Sequence, residues 1–254
     1  MNTGIWPKIT QVRDLSIIEL DDSQRILVAC DSIGAVGAKE LDALQVPYFI
    51  VGRCAARVPL LELLAVGARP VLISDCLTLE MEPSGREILA GIQHELKLLG
   101  LEGKCHLTGS TEENFVTRQS GIGITVVALA GKEELRIGKV RPGHEIYCFG
   151  IPKVGAEVDL DDPDIISFNT VVKLLQYPQV HEMAPVGSKG IRYEAELLTR
   201  SCGGRLQVDS RCPLPLTKSA GPATCLVAAV EPGSGETLYR DFSLPITYIG
   251  RIVG

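Results

Sequence analysis

The sequence has few of the features that mark proteins bound to nucleic acid or held in membranes. No long run of Lys and Arg is present, and the formal net charge is -6. General binding to nucleic acid or to a membrane surface is therefore not expected, because both need a clustered positive field. No apolar run approaches the length that spans a bilayer. The stretch "MNTGIWPKITQVRD" lacks the basic-then-apolar pattern of a signal peptide, so we expect a cytoplasmic protein.

The cysteine spacing gives no sign of a disulfide framework or of a metal cluster. The eight cysteines include no CxxC pair and do not pair with the four histidines. We expect them to be small core residues in a reducing cytoplasm. His106 and His144 are likewise single residues without the spacing of metal ligands. Aromatic residues make up only 5% of the sequence, which leaves the cores to Val, Leu, Ile and Ala.

The apolar patterning predicts an α/β fold in two domains. A chain of 254 residues is long for one ordinary domain, and we expect domains at 1–150 and 151–254. Apolar and β-branched runs predict strands in "PVLISDCLTLEM" and "HEIYCFG", and at 15–20, 25–30, 121–130, 204–208 and 224–231. Helical spacing predicts helices at 49–66, 84–99, 165–176 and 191–202.

Two of the predicted helices carry local signals that the structure can test. In the helix at 49–66, Pro59 either kinks the helix or sits in the first turn of a shorter one that starts near Val58. In the helix at 84–99, Ser84 is a plausible N-cap and Glu87 its capping-box partner, while Gly100 is a natural stop.

A first candidate site follows the strand at 25–30. Asp31 is expected to open a glycine loop, "DSIGAVGAK", that ends at Lys39. An Asp at a strand end can hold Mg²⁺, Gly34 and Gly37 let the backbone approach a phosphate, and Lys39 can clamp it. The alternative is an ordinary strand-to-helix connection, since the GxxxxGK[ST] pattern is absent.

Further carboxylates recur at intervals along the first half of the chain. Glu62 stands among leucines, where it is either paired, protonated or metal-bound in the core, or exposed on an amphipathic helix. Asp75 interrupts an apolar strand, which fits either a site or a buried ion pair. The stretch "TGSTEEN" is predicted as a turn, and its glutamates either cap the next helix or bind metal and phosphate. Together these residues suit phosphoryl transfer, where catalysis is mainly metal clamping and charge neutralisation.

The order of these motifs resembles that of a known superfamily. The stretches "DSIGAVGAK", "LELLAVGARP", "ISDCL", "LTGSTEENF" and "PGHEIYCFGIPKVGAEV" are similar to those of the aminoimidazole ribonucleotide synthetase superfamily, whose members use ATP. Within it, "GSTEENF", "VPLLELLAVGARP" and "LEMEPSG" most resemble the α-ribazole kinases of cobamide salvage. The resemblance implies a two-domain PurM-like fold and a homodimer whose N-terminal sheets pair into a shared barrel, with ATP beside the interface.

The resemblance also implies roles for individual residues. Asp31, Glu62 and Asp75 would bind Mg²⁺ or Mg-ATP, and Lys39 would neutralise phosphate charge. Ser110 stands where relatives carry an acidic or histidine ligand, so Glu112 or Glu113 is expected to supply that charge. The remaining nucleotide-binding positions that it implies are Gly34, Gly37, Gly109 and Thr111, and Lys189 in "GSKG" is a further candidate for contact with a phosphate or the acceptor.

The expected function is therefore that of an ATP- and Mg²⁺-dependent kinase. The predicted acceptor is the 5′-hydroxyl of α-ribazole, a nucleoside-like small molecule. One alternative is another chemistry of the same superfamily, such as that of a thiamine-monophosphate kinase. The other is a non-catalytic nucleotide-binding protein, which the serine at 110 favours.

Overall fold

The computed structural model describes residues 6–254, which form a mixed α/β fold as the patterning predicts. Contacts divide the chain into two compact units. The first contains residues up to Leu63 together with Ala68–Leu135, and the second contains Leu64–Gly67 together with Arg136–Gly254. The functional domain boundary expected at residue 150 stays a prediction. None of the described helices has the length and hydropathy needed to cross a bilayer.

The first unit is built on an open six-stranded sheet with the strand order β1-β2-β3-β8-β6-β7. Neighbouring strands are antiparallel except for β6 and β7, which are parallel. The strands are β1 (Ile9–Val12), β2 (Leu15–Glu19), β3 (Gln24–Gly34), β6 (Arg69–Leu77), β7 (His106–Thr111) and β8 (Gly121–Gly131). A short parallel pair, β4 (Val36–Gly37) and β5 (Leu44–Gln45), lies between β3 and the first helix in the sequence.

The two faces of this sheet differ in burial because side chains alternate along each strand. One face, which we call the covered face, carries Leu27, Ile73 and Val126, all with no exposed surface. The opposite, open face carries half-buried residues such as Val28 and Val127. The covered face contributes to the core of the unit together with buried residues of the two helices.

Helix α1 (Tyr48–Ala65) is a single helix of 18 residues with Pro59 in its interior. The interpretation of Pro59 as the start of a shorter helix is therefore wrong. Most of its side chains are buried, as expected for a helix that is apolar on nearly all sides. Glycines bring it close to helix α2 (Arg86–Leu98): a Cβ at Gly52 would lie 2.1 Å from the Ile88 carbonyl oxygen, and one at Gly91 2.1 Å from that of Phe49.

The start of α2 differs from the predicted capping box, which is wrong. Ser84 lies in a π-helical turn, Met81–Gly85, and the helix proper begins at Arg86. The Ser84 hydroxyl donates to Glu80 Oε1 at 2.5 Å, and the N-cap position, Gly85, has no side chain with which to cap the helix. The predicted stop is confirmed, because Gly100 has a φ of 65° and its amide donates to the Lys97 carbonyl.

The second unit contains a five-stranded antiparallel sheet with the order β10-β12-β9-β13-β11. Helix α4 (Gly190–Arg200) packs on one face, where Ile191 and Ala195 join a core with Cys148 and Val227. The other elements are β9 (Glu145–Phe149), α3 (Phe168–Leu174), β10 (Val180–Pro185), β11 (Arg205–Val208), β12 (Leu226–Val230), α5 (Gly235–Asp241) and β13 (Ile246–Val253). Of these, β10, α5 and β13 were not predicted from the sequence.

The close approach of α1 and α2 leads to a stability prediction. Gly52→Ala should lower the free energy of unfolding by about 1–3 kcal/mol or more, because the new methyl group meets backbone that cannot rotate away. Gly123→Ala is the matched control, since a Cβ there lies 3.9 Å from its nearest neighbours. Urea unfolding followed by circular dichroism measures both. Equal stability of the two variants would contradict the packing described.

Candidate functional site

Asp31 lies inside a strand rather than at the start of a loop. Strand β3 continues through Asp31 to Gly34, and its pairing with β8 runs to the partners Gly34 and Gly121. The predicted loop is therefore wrong for residues 31–34. The reason is tertiary, because β8 supplies hydrogen-bond partners that a local reading of "DSIG" does not contain.

Four residues on four adjacent strands form one row across the sheet. Asp31 on β3 is paired with Ile124 on β8, which is paired with Asp75 on β6, which in turn is paired with Gly109 on β7. Directly paired residues project to the same side of a sheet, so both carboxylates belong to the covered face. The two aspartates are two strands apart, which corresponds to a Cα separation of about 10 Å. We call Asp31, Ile124, Asp75 and Gly109 the carboxylate row.

Asp75 is the most constrained member of the carboxylate row. Its side chain is 3% exposed, and Oδ2 is buried without a hydrogen-bond partner. A Cβ at Gly109 would lie 2.4 Å from this carboxyl group, so glycine is required beside it. Burial raises the pKa of Asp75 above its usual value. A buried carboxylate oxygen without a partner is costly, and such atoms are concentrated at functional sites.

Asp31 is less buried than Asp75, but its pKa is shifted in the same direction. Its side chain is half-buried. Burial raises the pKa of Asp31, and the nearby Asp14 carboxylate adds to the shift, while the Ser32 amide opposes it. The carboxylate row therefore holds two acidic groups whose charged forms would both be stabilised by a cation.

Lys39 is held by a second group of polar residues. Its Nζ atom lies 2.8 Å from Glu80 Oε2, and its backbone amide donates to Asp42 Oδ2 at 2.9 Å. Glu80 also accepts from Ser84, as described above. Glu80 therefore anchors both the lysine and the turn before α2, a role that its place in "LEMEPSG" does not reveal.

Asp42 is a site residue that no motif in the sequence singles out. Its two carboxylate oxygens accept bonds from the Ser120 amide and the Ser120 hydroxyl, each at 2.7 Å. Tyr48 extends the network through a 3.0 Å contact with the same hydroxyl. Burial opposes ionisation, but these bonds and that from Lys39 keep the pKa of Asp42 below its usual value. A Cβ at Gly37 would lie 2.4 Å from Ser120 Oγ, so the predicted glycine makes room for this network.

The stretch "TGSTEEN" is not a turn over its first four residues. Thr108–Thr111 belong to β7 and pair with Ser74–Leu77 of β6, so the predicted turn begins only after Thr111. Ser110, at an exposed position, alternates with Gly109 and Thr111, whose positions belong to the covered face. The pairing of β7 with β6 could not be read from the local run of small polar residues.

The two glutamates after β7 make different local bonds. Glu113 Oε1 accepts from the Met81 amide at 2.8 Å and from the Thr111 hydroxyl at 2.9 Å. Glu112 Oε1 accepts from the amides of Asn114 and Phe115 at 2.6 and 3.2 Å. Glu113 thus links the end of β7 to the turn that follows β6. Glu112 accepts bonds from amides two and three residues further along its own turn. The role of either in metal binding stays a prediction.

Glu62 and Lys189 lie outside the groups described so far. Glu62 belongs to a half-buried stripe of α1 that it shares with Cys54 and Val58. Its assignment as a metal ligand stays a prediction. Lys189 immediately precedes α4 in the second unit, where its Nζ lies 3.1 Å from the Tyr193 hydroxyl and 4.3 Å from the centre of that ring. Lys189 thus lies in the second unit, whereas all the other predicted site residues lie in the first.

Comparison with known proteins gives a partial family match and a clear fold match. Residues 12–130 match the family model described as AIR synthase related protein, N-terminal domain. This segment contains the carboxylate row, Lys39 and both glutamates. No curated protein sequence matches the chain.

Among solved structures, T. maritima PurL complexed with ATP has a TM-score of 0.65 at 15% identity, over 98% of this chain and 43% of that one. AaThiL complexed with AMPPCP and TMP has a TM-score of 0.64 at 15% identity, over 94% of this chain and 84% of that one. Thiamine-monophosphate kinase from Stenotrophomonas maltophilia has a TM-score of 0.63 at 17% identity, over 96% and 88%. The chain has the fold of these proteins. It spans less than half the length of PurL.

The unpartnered oxygen of Asp75 leads to a prediction for stability. Asp75→Asn should raise the free energy of unfolding at pH 7.5 by about 1–2 kcal/mol, because it removes a buried charge on a group whose Oδ2 atom has no hydrogen-bond partner. The folded-state pKa is raised, so the cost is present above that pKa and fades as pH falls. The gain should therefore shrink between pH 7.5 and about 4.

Chemical unfolding of both proteins across this pH range, without divalent cations, measures the difference. Asp22→Asn, at an exposed position, is the control and should change little. A destabilised Asp75→Asn variant at pH 7.5 would contradict the buried, unpartnered carboxylate.

Proposed function

We propose that this protein is an ATP- and Mg²⁺-dependent phosphotransferase that uses the carboxylate row to bind the metal-nucleotide. The observation that carries the proposal is the buried Oδ2 atom of Asp75, which lacks a protein partner. Carboxylate oxygens are the ligands that Mg²⁺ prefers, so the donor set fits that ion. Bound Mg²⁺ would supply charge neutralisation for the phosphates.

The spacing of the carboxylate row determines how Asp31 and Asp75 could contact a metal ion and its phosphates. Ligand oxygens lie about 2.0–2.1 Å from Mg²⁺, whereas the two aspartate Cα atoms are about 10 Å apart. Ile124 lies between them in the row. Because the side chains and the ligand bonds extend from both Cα atoms, this separation allows Asp31 and Asp75 to contact either one ion or separate parts of a metal-phosphate array. Glu62 and Glu112 remain proposed additional ligands.

Lys39 would compensate phosphate charge beside this array. Its ammonium group is paired with Glu80, and Asp42 fixes its backbone. A phosphate would compete with Glu80 for the ammonium group, so the salt bridge sets the position of Lys39 before nucleotide binds. Gly34, Gly37, Gly109, Ser110 and Thr111 are the proposed neighbours of the nucleotide, and Glu113 is proposed to orient the reacting groups.

Two versions of this function differ in the molecule that accepts the phosphoryl group. Both AaThiL in complex with AMPPCP and TMP and a second thiamine-monophosphate kinase share the fold, which supports a phosphotransferase of that kind over a kinase of α-ribazole. The α-ribazole reading depends on "GSTEENF", "VPLLELLAVGARP" and "LEMEPSG" alone. We therefore propose a small-molecule kinase, with thiamine monophosphate and α-ribazole as the two acceptors to compare.

A non-catalytic nucleotide-binding protein is the second candidate. It is favoured by Ser110, which offers a hydroxyl where the resemblance predicts an acidic or histidine ligand, and by the local bonds of Glu112 and Glu113. In this version the carboxylate row still binds Mg-ATP. Binding of ATP without turnover of any acceptor would distinguish it from the kinase.

The kinase proposal is tested by incubating the full chain with ATP, Mg²⁺ and each acceptor while ADP and phosphorylated product are measured. We expect ADP and product in equal amounts with one acceptor. Asp31→Asn, Asp75→Asn and Lys39→Met should each lower kcat roughly 100-fold or more, because each removes charge stabilisation of the transferred phosphate. Asp22→Asn should retain full activity. Full activity of Asp75→Asn would overturn the proposed metal site.

We also propose a cytoplasmic homodimer in which the open faces of two first-unit sheets pair into a barrel, with residues 1–150 as the nucleotide domain. Val28 and Val127 are direct partners on adjacent strands of the open face, and both are half-buried. A half-buried apolar sheet face of this kind suits association with a second copy.

Introducing charge at this face should therefore shift the protein toward the monomer. Light scattering coupled to gel filtration should give a dimer for the parent protein and a smaller species for Val28→Glu, because burying an unpaired carboxylate is costly. Val172→Glu, at a position on α3 that is 40% exposed, should behave as the parent does. A monomeric parent would contradict the dimer.

A further inference from the structure

Three side chains with metal-ligating atoms meet at the ends of three adjacent strands in the second unit. His144 immediately precedes β9, His181 lies in β10, and Glu231 immediately follows β12. The strand order is β10-β12-β9, with Val180 opposite Val230 and Val230 opposite Glu145. The antiparallel topology therefore brings residues far apart in sequence to the same end of the sheet.

An irregularity in β10 occurs at the position of His181. Val180 is paired with Val230 and Glu182 with Ala229, which leaves His181 as the extra residue of a β-bulge. Bulges redirect side chains and are enriched beside functional sites. Here the bulge coincides with the point where the His181 ring stacks on that of His144, with ring centres 4.2 Å apart and planes at 9°.

The ligating atoms of the three side chains converge on a small volume. His181 Nε2 lies 2.7 Å from Glu231 Oε2, and His144 Nε2 lies 3.7 Å from the same oxygen. All three potential ligand atoms lie within 4.8 Å of one another. His144 is 6% exposed, whereas Glu231 is exposed. The group therefore has a buried inner ligand and an open outer side.

We propose that His144, His181 and Glu231 form a binding site for a divalent transition-metal ion of the Zn²⁺ class. Two imidazoles and one carboxylate are the donor set of open zinc sites, in which water or another small ligand takes the remaining position. Imidazole donors disfavour Mg²⁺ and Ca²⁺, which take oxygen ligands. The site is chemically distinct from the carboxylate row of the first unit.

Metal binding requires a defined rearrangement of the two rings. An ion coordinated by both imidazoles lies in the plane of each ring, so the parallel rings must tilt toward each other. The Arg141 amide donates to Nδ1 of His144 at 3.3 Å. A neutral His144 ring therefore carries its proton on Nε2. When Nε2 binds the ion, that proton must move to Nδ1 and the hydrogen bond from the Arg141 amide is lost. Burial and the neighbouring His181 lower the pKa of His144, and the Glu231 carboxylate opposes this shift.

Titration calorimetry with Zn²⁺ tests the site in the full, chelator-treated chain. We expect a single class of one ion per chain. Binding should weaken by more than about tenfold in both His181→Asn and Glu231→Gln, because loss even of an outer-shell partner of a metal typically costs that much. His106→Asn and Glu236→Gln, at exposed positions, are the matched controls and should bind as the parent does. Asp75→Asn should also retain Zn²⁺ binding.

Co²⁺ absorption provides a second readout that depends on coordination. The parent should develop visible absorption bands of a low-coordinate Co²⁺ site, and Glu231→Gln should change or lose them. Because Glu231 is exposed, this variant should fold, which circular dichroism checks. No Zn²⁺ binding by the parent, unchanged affinity in His181→Asn, or equal losses in variants and controls would each overturn the proposal.

Discussion

Strand β8 pairs with β3 along one side and with β6 along the other, and the candidate site depends on the register of those two ladders. Ile124 faces Asp31 across the first ladder and Asp75 across the second. A shift of either ladder by one residue would turn an aspartate to the open face, because side chains alternate along a strand. The apolar residues that lie two positions away on the covered face, such as Ile73 and Val126, therefore position the row, because their burial fixes the register.

Two of the buried carboxylates described in the first unit, Glu95 and Asp75, have opposite environments. Glu95 on α2 is paired with Arg53 on α1 at 2.7 Å, with 1% and 6% of the side chains exposed. Such a pair retains its Coulombic compensation inside the protein. Asp75 is equally inaccessible, yet one of its oxygens has no protein partner. The two carboxylates therefore differ in whether a protein cation compensates their buried charge.

Sequence patterning predicts those parts of the fold and site that depend on local chemistry. Asp75 stands out because a carboxylate interrupts an apolar strand, and Gly100 because a helix needs a left-handed stop. Patterning fails where the partner is distant in sequence. Asp31 looks like a loop residue until β8 is placed beside it, and Ser84 looks like a helix cap until Glu80 accepts its hydroxyl. His144 has no local signal because its neighbours are brought there by strands 37 or more residues further along the chain.

The contact between Gly109 and Asp75 links two positions that lie on separate strands. Each alternative residue at 109 introduces a carbon where the carboxyl group of Asp75 already lies, 2.4 Å away. The glycine is therefore constrained for as long as a side chain of this size occupies position 75. With a smaller residue at 75, position 109 could accept a side chain of its own. The two positions should accordingly vary together, so that a larger residue at 109 is expected only where position 75 carries a smaller one.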